Sequence, residues 1–130
     1  MKEEELVRLA LEARGNAYAP YSGFRVGAAL LCGTDQVFTG CNIENASYPC
    51  GLCAERTAAA KAVSADRRDF TMLAVAGSSA SLCTPCGMCR QFLYEFAPEL
   101  CVLCADAAGR YEKHLLSELL ACGFGGSSME

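Results

Sequence analysis

No stretch of this 130-residue chain is strongly basic: its longest run of Lys or Arg is Arg67-Arg68, and the formal net charge is −4. Nucleic-acid binders usually carry a basic face, so an acidic balance with a pI near 5.0 points away from DNA or RNA as a partner. No apolar run approaches the roughly 20 residues that span a bilayer, so no membrane partner is expected. The first residues, Met1-Lys2-Glu3-Glu4-Glu5, are acidic and do not read as a signal peptide. Histidine is nearly absent. The single one, His114, lies in a Leu-rich segment, where a lone His is more often structural or exposed than a metal ligand.

Cysteine, by contrast, is abundant, with ten in the chain. An even count in a short chain can mean a disulfide framework. Without a secretory leader, reduced thiols and a cytoplasmic location are the better expectation. Cys32, Cys41, Cys101 and Cys104 sit in apolar runs, where a thiol behaves as a small hydrophobe. At 52% hydrophobic residues the chain is long enough for a real core and reads as one domain over 1–130. A Gly/Ser tail covers about 124–130 and is ordered only if something holds Phe124.

Periodicity predicts an amphipathic helix over 3–17, with Glu3, Glu4 and Glu5 in its first turn. Two short apolar runs, 26–31 and 37–41, read as a hairpin turned at 32–36. The segment 53–65 is a helix of small residues, apolar nearly all round, which predicts burial on more than one side. Residues 66–69 read as a solvated charged turn. A buried strand follows at 70–76, then a helix from 85 to about 96, stopped before Pro98. A strand at 101–105, a weaker one at 110–112 and a short helix at 114–120 complete the chain. This alternation predicts an α/β fold, a three-layer α/β/α sandwich around a mixed sheet of about five strands.

Two stretches carry the chemistry: Cys53-Ala54-Glu55-Arg56 and Pro85-Cys86-Gly87-Met88-Cys89. Cys53, Cys86 and Cys89 offer three thiolates, and zinc held by three protein ligands keeps a fourth position for water. Glu55, two residues past the first ligand, is close enough to act on that water without ligating the metal. Both ligand stretches fall at predicted helix starts, where the helix dipole lowers a thiol's pKa. Arg56 reads either as a hydrogen-bond donor to the ligating sulfurs or as an ordinary surface ion pair. A competing reading takes Cys50-Gly51-Leu52-Cys53 and Cys86-Gly87-Met88-Cys89 as two C-x-x-C pairs, with Cys50 closing a structural Cys₄ zinc site. Against it, 32 residues separate the pairs, where a zinc ribbon has about 15–20, and such a site needs no Glu55 beside the metal.

The order Cys, Glu two residues on, then P-C-x-x-C is the general signature of zinc deaminases. With Tyr21-Ser22-Gly23-Phe24-Arg25-Val26-Gly27-Ala28-Ala29, Asn42-Ile43-Glu44-Asn45-Ala46-Ser47-Tyr48 and Arg90-Gln91, the chain resembles the small homotetrameric cytidine deaminases from about Tyr18 to Phe124. The resemblance implies one zinc per chain, a free nucleoside substrate, and hydrolytic deamination of cytidine and deoxycytidine in pyrimidine salvage. It implies Glu55 as the proton carrier and Arg56 as a partner of the ligand sulfurs. Asn42 and Glu44 would meet the ribose, the Ala54 backbone the base, and Phe24 would pack on the ring. Ala46, Tyr48 and Phe124 match positions that reach a neighbouring subunit's site in a homotetramer with shared active sites. A related zinc deaminase with another amino-base substrate is the nearest alternative. The chain departs from the family at Leu119-Leu120-Ala121-Cys122-Gly123-Phe124, which lacks the usual Leu-Leu-Pro. Without that proline, a looser approach to Phe124 is expected.

Overall fold

Helix α1, Glu3–Arg14, places three glutamates in its first turn and Arg14 in its last, matching both ends of its dipole. The computed structural model describes residues 1–129 of the chain; the last residue of the expected tail lies outside them. Helix α1 stops three residues short of the span read from periodicity. The Arg14 guanidinium donates to the Gly77 carbonyl at 2.7 Å, and the following residues are claimed by another partner. Tyr18 N–H donates to Asn42 O and Glu44 N–H donates to Tyr18 O, so residue 18 joins a short bridge beside residue 43.

Five strands form one sheet: β1 (Gly27–Cys32), β2 (Gln36–Cys41), β3 (Phe70–Ala76), β4 (Cys101–Ala105) and β5 (Tyr111–Leu115), in the order β2-β1-β3-β4-β5. Only the β3/β4 pair is parallel, with Val75 opposite Cys104; the others are antiparallel. The two-residue alternation of a strand sends side chains to two separate cores. Ala29, Leu31, Ala74, Ala76, Leu103 and Ala105 pack under Leu6, Val7 and Ala10 of α1. Ala28, Leu30, Leu73, Val75, Val102 and Cys104 face the other layer, formed by α2 (Ala54–Ser64), α3 (Gly87–Tyr94) and α4 (Leu116–Leu119). The expected three-layer α/β/α architecture with a mixed five-stranded sheet is therefore the one observed. No helix among the described residues is long and apolar enough to cross a membrane.

Small residues set how close α2 comes to the sheet. A Cβ on Gly40 of β2 would stand 2.5 Å from the Ala54 carbonyl and from the Ala58 amide, so glycine is what lets the helix start lie against the strand. Burial on α2 is more one-sided than its composition suggested. Ala54, Ala58, Ala59 and Ala62 are buried, while Ala60 and Lys61 are exposed.

Three local readings are corrected. Residues 66–69 are more than a solvated turn: Arg67 lies 2.9 Å from both Asp35 and Asp69 and ties the β1–β2 turn to the start of β3. A guanidinium fork can serve two carboxylates at once, which composition alone does not display. The last strand runs to Leu115 because five residues find partners along β4, with His114 opposite Val102. His114 is therefore on a strand, and α4 is only four residues long.

Candidate active site

The first ligand candidate caps a helix. Cys53 has extended backbone (φ −77°, ψ 156°) at the N-cap of α2, and Cys86 has the same character (φ −67°, ψ 167°) at the N-cap of α3. Cys89 lies in the first turn of α3 and is fully buried. Packing of α2 on α3 brings these starts together, so the three sulfurs lie within 4.8 Å of one another, Cys53 and Cys86 at 3.7 Å. Thiolates about 2.3 Å from a tetrahedral zinc stand about 3.8 Å apart, so the sulfur spacing fits that ion.

The sulfurs and Arg56 interact as one cluster. Hydrogen bonding from Cys89, and then from Arg56 and Cys86, pulls the Cys53 thiol down to about 5 against the opposing effect of burial. Cys89 moves the opposite way because it is the donor to Cys53 and is itself buried. Arg56 points an Nη2 at Cys53 Sγ across 3.6 Å and pairs with no carboxylate among the described residues. Its Nε is buried without a partner. Of the two roles open to this arginine, the sulfur-facing one is what the fold builds.

Glu55 is 4% exposed in the first turn of α2, and burial pushes its carboxyl up to about 7. A group with that pKa is poised to take and return a proton near neutrality. It lines a cavity of about 570 Å³ together with Cys53, Ala54 and Cys86. Phe24, Asn42, Glu44 and Tyr48 line the same space, so the two halves of the sequence reading meet there.

Asn42 and Glu44 lie just past β2, and both are engaged with the segment 21–26. Asn42 Oδ1 accepts from Val26 N–H at 2.9 Å while Nδ2 donates to Phe24 O at 2.8 Å. Glu44 Oε1 accepts from Tyr21 N–H at 2.9 Å and Ser22 N–H at 3.1 Å, and the Ser22 hydroxyl donates to Oε2. That hydroxyl, followed by the Ser22 and Tyr21 amides, holds the Glu44 carboxyl below the usual carboxylate range.

Some expected residues are not in the cavity of one chain. Ala46 is exposed and does not line it, and Phe124 is 57% exposed elsewhere on the surface. Cys50 is exposed, 3.4 Å from the Ser47 hydroxyl, and His114 sits on β5 beside Glu112; neither joins the sulfur cluster. The Cys₄ alternative thus lacks its fourth ligand. Several lining residues, Ser22 and Cys83 among them, carried no role in the sequence reading. Ser22 was visible only as part of the Tyr21–Ala29 motif. Cys83 is a thiol that burial pushes up to about 12, and nothing in its local sequence marks it as facing a cavity.

The family model described as the cytidine and deoxycytidylate deaminase zinc-binding region matches residues 1–105. A cytidine deaminase of Halalkalibacterium halodurans is 43% identical over 130 residues, covering 99% of this chain and 98% of its own. The crystal structure of cytidine deaminase from Burkholderia pseudomallei shares 42% identity with a TM-score of 0.92, over 95% of this chain and 100% of that one. Cytidine deaminase from Mycobacterium tuberculosis shares 38% identity with a TM-score of 0.82, over 96% and 98% of the two chains.

Proposed function

This chain belongs to the cytidine and deoxycytidylate deaminase zinc-binding family, and from that premise we propose the chemistry its residues perform. It is a zinc-dependent hydrolase that converts cytidine and deoxycytidine, with water, to uridine and deoxyuridine plus ammonia. One observation carries the reading: three thiol groups cluster at two helix starts, two of them, Cys53 and Cys86, at the wall of a cavity that the buried Glu55 carboxyl also lines.

Cys53, Cys86 and Cys89 hold one zinc per chain, with Arg56 donating to the Cys53 sulfur. Zinc bound there supplies a water acidified toward neutrality. Glu55 takes the proton that water gives up as oxygen adds at ring C4, and delivers it to N3. It then takes the remaining proton of the hydroxyl now on C4 and hands it to the departing amine, leaving a carbonyl at C4 and free ammonia, so one carboxyl acts as base and acid in turn. The Ala54 backbone contacts the base at the helix start, and Phe24 packs on the ring. Asn42 and Glu44 receive the sugar. A carboxylate at that end repels phosphate, which favours nucleosides over nucleotides.

The working form is a homotetramer in which Ala46, Tyr48 and Phe124 serve a neighbouring subunit's site. Tyr48 (77% exposed) and Phe124 (57% exposed) support this, because large aromatic groups so exposed on one chain are suited to contact with another. Thiol ligands of this kind stay reduced in a compartment such as the cytoplasm, where we place the enzyme, and its product assigns it to pyrimidine salvage.

The test is turnover of cytidine, deoxycytidine and deoxycytidylate by purified protein, with zinc and molar mass measured on the same sample. Ammonia release from both nucleosides with about one zinc per chain is the expected result. Zinc without turnover of either nucleoside removes this reading in favour of another amino-base substrate. Preference for deoxycytidylate removes the nucleoside claim alone.

A further inference from the structure

We infer that Ser22 is a positioning residue that couples the sugar end of the cavity to the ring of Phe24, an inference that rests on the nucleoside reading above. The Ser22 hydroxyl accepts from the Phe24 N–H at 3.0 Å and donates its own hydrogen to Glu44 Oε2. One oxygen atom therefore joins the backbone of the ring-bearing residue to the carboxylate assigned to the sugar. The carbonyl of Phe24 is tied to the same end of the cavity, through Asn42 Nδ2. Phe24 thus has both its backbone polar groups fixed from the sugar side.

The ring is fixed from below as well. A Cβ on Gly77 would stand 2.8 Å from Phe24 Cζ, so the ring lies directly on that glycine. Next to it, Ser78 Oγ accepts from Arg25 N–H and donates to Arg25 O, holding the far end of the segment. With its floor and its backbone both set, the ring's remaining freedom is the tilt permitted by the 21–24 turn. Ser22 controls that turn, and Gly23 at φ 69° provides its left-handed step.

Acceptor counting makes the coupling reciprocal. An ionised carboxylate offers about four acceptor sites. Three are already filled by Tyr21 N–H, Ser22 N–H and the Ser22 hydroxyl. A substrate hydroxyl takes the site that remains, on a carboxylate whose orientation Ser22 has set. Without the Ser22 hydroxyl, Glu44 Oε2 is free to turn and the Phe24 amide loses its acceptor. Both effects weaken nucleoside binding, while the sulfur cluster and Glu55 stay untouched.

The experiment uses the full chain with Ser22→Ala, Ser22→Thr, Glu44→Ala and the Ser22→Ala/Glu44→Ala pair. Steady-state kinetics on cytidine and deoxycytidine are read alongside uridine binding by calorimetry. Ser22→Ala is expected to raise KM and weaken uridine binding about tenfold to a hundredfold, with kcat changed about threefold or less. Ser22→Thr, which keeps the hydroxyl, recovers most of the loss. In the Glu44→Ala background the Ser22→Ala penalty shrinks, because part of its partner is gone. If Ser22→Ala fails to fold, Ser22→Cys, a weak donor of similar shape, takes its place with the same expectation. A KM within twofold of wild type, no recovery by Thr, or an undiminished penalty in the Glu44→Ala background overturns the coupling while the nucleoside reading stands. A wild-type protein inactive on both nucleosides overturns that reading and this inference together.

Discussion

The Gln91 side-chain amide donates to the backbone carbonyl of Phe124 at 2.8 Å. The preceding residue on α3, Arg90, bonds through Nε to the Pro85 carbonyl at 2.7 Å and through Nη1 to the Leu119 carbonyl. The helix that carries Cys89 therefore pins the C-terminal segment at two points. Gly123 packs against Tyr94, where a Cβ would stand 3.1 Å from the ring, and Cys122 at φ 53° makes the turn. These contacts hold the segment before Phe124, where the family's proline would otherwise restrain it.

Replacing Gln91 by Leu should release that segment without disturbing the sulfurs. Limited proteolysis near residues 121–125 is expected to speed up several-fold, and cytidine kcat/KM to fall about threefold to tenfold, from loss of one hydrogen bond. Zinc content stays at one per chain. An unchanged cleavage rate would show that Gln91 does not restrain Phe124.

Glu55→Gln keeps the shape of the buried side chain and removes its proton-carrying capacity. Turnover is expected to drop about 10²- to 10⁴-fold, with zinc and melting temperature retained. Activity within tenfold of wild type would take Glu55 out of the reaction.

Chelation should abolish turnover, and added zinc should restore it. Cys50→Ser and His114→Ala are expected to retain one zinc each, because neither residue reaches the sulfur cluster. Cys86→Ser is expected to lose most of it. Metal analysis of the three proteins decides the point; a metal-free Cys50→Ser protein would revive the four-cysteine site.

Arg67→Ala should lower the melting temperature by roughly 5 °C or less, since the ion pairs it breaks are solvent-facing. Asp35 and Asp69 both titrate below their ordinary range because Arg67 hydrogen-bonds to them. Carboxyls with depressed folded-state pKa values stabilise above the unfolded value and lose that contribution as pH falls through the folded one. The gap between wild type and Arg67→Ala is thus full at neutral pH and closes below about pH 4. Thermal melts across that range test it, and a gap that widens in acid would contradict the sign.

Sheet and layers were legible because the apolar runs 70–76 and 101–105 are nearly continuous and local; both strands have the expected limits. The end of α1 was not, because Ala13 and Ala17 still fit a helical period. What stops the helix is the pairing of residue 18 with residues 42 and 44, which are remote in sequence. His114 was misplaced for the same reason, as its strand exists only by pairing with β4. At the site, Cys53, Glu55, Cys86 and Cys89 were readable from spacing, since both ligand stretches cap helices. Ser22 was not readable as a contact of Glu44: a serine in a turn-rich stretch has many local partners, and only the fold selects a carboxylate 22 residues away.

Because Cys53 and Cys86 stand on two helices 33 residues apart, metal affinity and conformational stability are linked quantities. An ion that binds only the assembled pair of helix starts acts as a thermodynamic rivet, favouring the folded chain in proportion to its occupancy. The reverse holds with equal force. A substitution far from the cavity, such as a larger side chain at Gly40 beneath α2, should register first as leaking zinc. Metal retention under competition by a chelator is then a sensitive gauge of the whole domain's integrity.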